Sequence, residues 1–342
     1  MLCAAALAAC AGVAGGPGAG RPFLTAGRED RVVLTAMSTV QAVAITRRYV
    51  FVATPMALGV FDRQFDRWLP PLSQREGWTG GTLTLFAGDP NDDVLWFATL
   101  SGLYRYRAVI NDLQRSTLPD LPRQIFFDRG DPSAGAFVLG AQQAWRVSST
   151  GMAQVVGLRD LPPPIRRVTP ATLADIYQRY PALRDFERLL TQDDELRSFP
   201  VTSGASAPDR SEVWLGTAGG GVFKVDPLFT RSEPRPFGLL EPGAGAISSS
   251  SAGVWIAGSG DRVTMRNGLT FVDHELSSWR WVDGGNFGPL DAGRSFAIAA
   301  WESALWVGGQ YGLQRVDVQT GRAGRRMAEA PTLPSPSVLS LA

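Results

Sequence analysis

Lys224 is the only lysine of the chain, His274 the only histidine, and Cys3 and Cys10 the only cysteines. Each scarcity removes a class of chemistry. With one histidine, a His-rich zinc site cannot be built, and a Ser-His-Asp triad or a Cys-His dyad would hang on a single residue. Beyond Cys10 the chain has neither a disulfide nor a thiolate, so no redox role is expected of the folded body. A formal net charge of +1 and a pI near 7.8 leave no long-range field that would draw in nucleic acid or an anionic membrane surface. No cofactor and no metal are expected. What the sequence has in quantity is glycine, at 38, and proline, at 24, separated by short apolar runs. That pattern favours many strands and tight turns, and the expected class is all-β.

Residues 1–9 are small and apolar, and Leu7-Ala8-Ala9-Cys10 resembles the lipobox of bacterial lipoprotein signal peptides. The resemblance implies cleavage before Cys10 and lipidation of that residue. Ala11, rather than Asp, follows the cysteine, which by the same resemblance implies sorting to the outer membrane and the periplasmic face of the envelope. Residues 11–20 are rich in glycine and lack bulky side chains, so 10–30 reads as a lipidated flexible tether to a folded body at 31–342.

Within that body one block returns six times. An aromatic or branched residue is followed by an apolar one, Gly or Ala, often Thr, a short polar pair, Gly, and a second apolar run. Phe51-Val52-Ala53-Thr54, Trp96-Phe97-Ala98-Thr99, Val138-Leu139-Gly140-Ala141, Trp214-Leu215-Gly216-Thr217, Trp255-Ile256-Ala257-Gly258 and Trp306-Val307-Gly308-Gly309 open the copies. The fifth leads into Val263-Thr264-Met265, and the third is the most degraded. The spacing is mostly about 40 to 50 residues, the period of a four-stranded propeller blade. In each blade the block would supply the second and third strands, joined by a Gly turn. Val40–Ile45, Thr82–Phe86 and Phe296–Ala300 would be inner strands, and Arg67-Trp68 and Ser278–Trp281 outer ones. The tryptophans are expected in the core between sheets, not as a stacking row. Val213-Trp214-Leu215-Gly216-Thr217 with Val222-Phe223-Lys224-Val225-Asp226, and Leu305-Trp306-Val307-Gly308, resemble two-component-regulator propeller repeats. That resemblance covers roughly residues 38 to 342 and implies a β-propeller of six recognisable four-stranded blades, or a truncated seven. Related repeats occupy periplasmic sensor regions of bacterial signalling proteins. No kinase, transmembrane or DNA-binding segment follows, so the signalling role is not expected to carry over.

The rhythm fails twice. Residues 169–197 switch to a helical period, with Leu173, Ile176, Tyr177, Tyr180, Leu183, Phe186, Leu189 and Leu190 at spacings of three and four. Thr169-Pro170 would cap this insert, and Pro181 would kink it or start a second helix. It reads as a lid packed on a blade edge or as a partner-docking surface carrying Ile176, Tyr177, Tyr180 and Phe186. At the other end, 321–330 reads as the last strand of the sixth repeat. Residues 333–342 look like the first strand of a further one, which would be missing its remainder or would pair with Arg31–Thr35 to close a seam.

Candidate ligand contacts lie in the loops between blades: Arg75 and Trp78, Arg123, Arg159, and Asn286, Asp291 and Arg294. Guanidinium forks suit oxyanions and indole covers an apolar face, so a sugar, a carboxylate or a peptide would fit. The competing reading is that such residues tie blades together. Asp89, Asn91, Asp92 and Asp93 are spaced a little like a calcium loop but lack its closing Glu, and turn chemistry explains them better. Asp273-His274-Glu275 falls in an outer-strand turn, away from the expected channel. No catalytic set emerges. The expected role is a non-catalytic binding or scaffold module for a partner protein or small periplasmic ligand, touching the membrane only through its N-terminal lipid. A propeller lyase or hydrolase acting on glycans is the alternative.

Overall fold

The structure is a computed structural model and describes residues 32–148, 150–193, 196–259, 268–284, 295–324, 327 and 337–341. It is mostly β, with 48% of residues in strands and 10% helical. Six antiparallel sheets follow one another along the chain. The first comprises β1 (Ala42–Ile45), β2 (Tyr49–Ala53), β3 (Ala57–Asp62) and β4 (Arg67–Ser73). The second is β5 (Leu85–Gly88), β6 (Val94–Thr99), β7 (Gly102–Arg107) and β8 (Asp112–Ser116). In the third, β9 (Gln124–Asp128), β10 (Ala136–Leu139), β11 (Ala144–Val147) and β12 (Ala153–Val156) are joined by the two-residue β13 (Arg167–Val168) on β9. Three short helices then lead to the fourth sheet: α1 (Leu173–Arg179), α2 (Pro181–Asp185) and α3 (Glu187–Leu190). That sheet is β14 (Val201–Ser206), β15 (Val213–Thr217), β16 (Val222–Asp226) and β17 (Arg231–Arg235). The fifth holds β18 (Ala244–Ser249), β19 (Gly253–Gly258), β20 (Gly268–Asp273) and β21 (Trp279–Asp283). The sixth has β22 (Ser295–Trp301), β23 (Ala304–Gly309) and β24 (Gly312–Asp317).

Among the described residues these sheets depart from six equal four-stranded units: the third has five strands and the sixth three. Among the described residues of 321–330, where a last strand was expected, Ala323 bridges Val316 and Met327 bridges Leu313. Val263–Met265 lies outside the described residues, and the third strand of the fifth sheet is β20. The second strands are apolar at consecutive positions because both faces are covered; β2 and β6 are buried throughout.

Alternation along each strand assigns the anchor residues to one face. Phe51 packs with Leu95, Phe97, Tyr104 and Tyr106 of the second sheet. Trp96 packs with Ile125, Phe127 and Val147 of the third. Trp255 meets Ile298, Leu305 and Val307 of the sixth. In the third copy the anchor has slipped by one: Val138 and its cross-strand partner Trp145 turn back to the second sheet, and Phe137 takes the outward face, stacked on Phe126 at 5.6 Å. A one-residue shift flips every side chain of a strand.

Packing does not follow chain order everywhere. Trp214 of the fourth sheet is covered by the first, whose Phe61 lies 5.0 Å away, with Val43 and Val50 in the same cluster. The Val43 N–H donates to Ser203 Oγ at 2.9 Å, as the Ala300 N–H donates to Ser248 Oγ at 2.9 Å between the fifth and sixth sheets. The fifth sheet joins the first–fourth cluster through Val254, Ile256, Val272 and Trp279, bridged by Phe237 stacked on Trp68 at 4.1 Å. The expected seam is corrected. Thr35 and Met37 bond Leu239, in the connection between β17 and β18, whereas Val338 bonds Gly309 of β23, so the described parts of the two segments do not pair with each other.

Candidate functional site

The loop residues singled out in the sequence separate into different environments. Arg75 is exposed on a single 3-10 turn over Gln74–Glu76, held by the reciprocal Ser73–Glu76 capping box. Trp78 is 1% exposed and donates its Nε1–H to Thr54 O at 3.1 Å. Its ring meets Phe97 at 5.0 Å, so it seals the first sheet to the second and has no surface left for a ligand. Arg123 is exposed just before β9, and Arg159 in the turn after β12. Asn286, Asp291, Arg294 and Cys10 lie outside the described residues. The described arginines of the set thus stand in three separate connections, after β4, before β9 and after β12.

Other arginines tie the sheets. Arg63 Nε lies 2.6 Å from Glu212 Oε1, joining the first sheet to the fourth, and the lone Lys224 reaches Glu212 Oε2 at 3.0 Å. Trp214 Nε1–H donates to the same carboxylate at 2.9 Å. Burial pushes the Glu212 carboxyl up, but Trp214, Arg63 and Lys224 outweigh it and hold the group below its ordinary range. Arg235 pairs with Asp66 at 3.0 Å across the same boundary, and the Arg48 N–H donates to Asp93 at 3.0 Å between the first and second sheets. Sequence reasoning foresaw arginines as ties but named other ones. Glu212 has a legible cue in being a carboxylate two residues before an anchor tryptophan.

The acidic tip is a turn. Asp89 Oδ1 accepts the Asn91 N–H at 2.9 Å and the Asp92 N–H at 3.4 Å. Burial pushes its carboxyl up to about 6, offset only in part by those N–H groups. Among the described residues no cluster of His, Cys, Asp and Glu is arranged to hold a metal ion. His274 Nε2 contacts Ser250 O at 3.1 Å, while Asp273 caps the turn by accepting from Ser277 N–H and Oγ–H.

The helical insert is the most differentiated surface. Its first helix begins at Thr172, three residues later than Thr169, because Thr172 and Asp175 form a reciprocal capping box. Pro181 opens α2. Ile176, Leu183 and Leu190 pack on Val213, Leu215, Phe223 and Val225 of the fourth sheet. Ile176 is 0% exposed, so it holds the layer down and cannot itself meet a partner. Tyr177 donates its hydroxyl to Glu187 and Tyr180 is half-buried. Phe186 and Leu189 point away, 48% and 60% exposed. An open groove of about 410 Å³ runs beside α1, lined by Thr169, Pro170, Ala171, Asp175, Gln178 and Arg179.

No family model and no curated protein matches the chain. Among solved structures it is similar to PorZ, a bacterial surface component of the type-IX secretion system of Porphyromonas gingivalis. The identity there is 10% and the TM-score 0.35, over 89% of this chain and 54% of that one. It is also similar to the extracellular domain of a hybrid two-component system of B. thetaiotaomicron, at 15% identity and TM-score 0.28, over 89% of this chain and 37% of that one. Sqt1 of Saccharomyces cerevisiae matches at 10% identity and TM-score 0.25, over 85% and 86% of the two chains. The chain spans about half or less of the length of the first two. Among the described residues no helix is long and apolar enough to cross a membrane.

Proposed function

We propose that this protein is an exported β-propeller, lipid-anchored through Cys10 on the periplasmic face of the outer membrane, that binds a partner protein without catalysing a reaction on it. The observation that carries the binding role is the two-sided helical layer. One side is committed to the fourth sheet through Ile176, Leu183 and Leu190, and the other presents Phe186 and Leu189 to solvent. Exposed apolar side chains on a rigidly seated element have the make-up of a docking surface. Sheets that bury five of the six anchor residues against a neighbour, tied at their ends by ion pairs such as Arg63–Glu212, support the scaffold half of the reading. They also support the propeller architecture, with the helical layer as an elaboration of one sheet.

The test is affinity capture of partners by the wild-type chain and by the Phe186→Asp, Leu189→Asp double variant. Both positions are largely exposed, so the variant is expected to keep its thermal melt. Loss of a partner that the wild type retains supports the reading; an unchanged set of partners overturns the helical face as the docking surface. In the same strains an alkyne fatty acid is expected to label the wild type and not Cys10→Ser. Absence of label on the wild type removes the anchor.

A further inference from the structure

The solvent side of the helical layer carries unmatched charge. α2 and α3 run on through Phe186, whose N–H donates to Ala182 O at 3.0 Å and whose carbonyl accepts the Leu190 N–H at 3.0 Å. Arg184 and Arg188, four residues apart along this stretch, therefore share one side, away from the buried Leu183 and Leu190. Both are exposed, and among the described residues neither has a carboxylate within ion-pair distance. Two like charges one turn apart oppose the helix that carries them.

Elsewhere the chain pairs its arginines. Arg63 meets Glu212, Arg166 meets Asp128 at 2.6 Å, and Arg235 meets Asp66. Within the layer, two carboxylates are already engaged. Glu187 accepts the Tyr177 hydroxyl, and Asp175 accepts the Thr172 N–H at 2.9 Å and its hydroxyl at 2.7 Å. Thr172 foremost, and Arg179 after it, hold the Asp175 carboxyl below its ordinary range. Arg179 is thus matched where Arg184 and Arg188 are not, and the unmatched pair flanks the exposed Phe186 and Leu189.

We propose that the partner segment seated here is acidic and amphipathic, Asp and Glu interleaved with Leu, Ile or Phe. Its carboxylates are forked by Arg184 and Arg188, and its apolar side chains lie on Phe186 and Leu189. This rests on the layer being a docking face and names the chemistry of what docks. The longer stretches outside the described residues are 1–31, 260–267, 285–294 and, but for Met327, 325–336. Each holds at least as many arginines as carboxylates, so none of them is the acidic occupant. A second copy meeting the first through the same face would set arginine against arginine. An anionic lipid surface fits less well, because the exposed Asp185 stands between the two arginines in sequence. A flat field of phosphates would meet that carboxylate, whereas a peptide can leave it to solvent.

The probe is a short fluorescein-labelled peptide with pairs of Glu separated by Leu and Phe, read by anisotropy against the whole chain. Its counterpart has Lys in place of every Glu. The expected result is saturable 1:1 binding of the Glu peptide that weakens as salt is raised and is at least tenfold weaker in the Arg184→Glu, Arg188→Glu double variant. The wild type is expected to ignore the Lys peptide and the double variant to take it up, a gain that an unfolded layer would not show. No binding of the Glu peptide up to about 100 μM, a regime in which ordinary specific recognition would register, overturns the acidic segment, and so does equal binding of the Lys peptide. Phosphatidylglycerol vesicles that bind the wild type and not the double variant, with no binding of the Glu peptide, overturn it in favour of lipid. If Phe186→Asp, Leu189→Asp loses captured partners while the Glu peptide does not bind, the docking face stands and only its acidic occupant falls. An unchanged set of partners removes the face itself, and this inference with it.

Discussion

Asp89 is a carboxylate whose burial is not offset by a cation. It is 4% exposed, accepts the backbone N–H groups of Asn91 and Asp92, and has its carboxyl pushed up to about 6 by burial. In the unfolded chain it titrates near about 3.9. Between about pH 4 and pH 6 the native state therefore holds more protons than the unfolded one, and stability falls as pH rises through that window. Asp89→Asn keeps an oxygen for the two N–H groups and removes the charge. The expected outcome is a higher Tm at pH 7, worth at most about 3 kcal/mol for a shift of this size, with little gain at pH 4. Calorimetry at both values checks it; an equal gain at the two pH values would show that charge is not the cause. Glu212 is the opposite case, since Arg63, Lys224 and Trp214 hold it ionised, and its contribution is present at neutral pH and lost in acid.

At the scale of elements, much was legible. The repeated block marks a second strand wherever it occurs, and the spacing of Leu173, Ile176, Leu183 and Leu190 announces helices because a period of three and four has no use on a strand. The start of the first helix was readable at Thr172-Leu173-Ala174-Asp175, a capping-box spacing, but Thr169-Pro170 offered a competing cue of the same kind. The slip in the third copy was not readable, since Phe137 and Val138 are both good strand residues and only the pairing of Val138 with Trp145 decides which faces the second sheet. Trp78 looks like a loop residue until Thr54 O and Phe97 are seen to enclose it. The seating of the helices carries its own prediction. Leu183 is 0% exposed beneath α2, and Leu183→Asp places a charge against Leu215 and Phe223, a penalty of several kcal/mol. The layer is expected to lift, with trypsin cutting first after Arg179 or Arg184 while the sheets keep their circular dichroism. Loss of the β signal together with the cleavage would mean that the layer and the sheets fold as one unit.

For the whole molecule the order of packing is what sequence could not supply. The blocks around Trp214 and Trp306 share one grammar, and nothing local says that the first will be sealed by a sheet from far earlier in the chain while the second is half-buried among the described residues. That information lies in long-range complementarity, in Phe61 reaching Trp214 and Val40 fitting the hollow at Gly216. One substitution made at two equivalent places separates the two situations. Gly216→Val drives its side chain into Val40 and Val43, with a bare Cβ already 2.5 and 2.9 Å from their methyl carbons, at the joint between the first and fourth sheets. Overpacking of this kind costs about 1 to 3 kcal/mol or more, because both neighbours are anchored in the core and cannot give way. Gly308→Val makes the same clash with Val338, at 2.6 Å, but Val338 belongs to a short segment followed by the exposed Leu339, which can move aside. The expected outcome is a clear fall in Tm for Gly216→Val and almost none for Gly308→Val, measured under one buffer and scan rate. Equal losses would mean that the Val338 segment is as firmly built into the sixth sheet as Val40 is into the fourth.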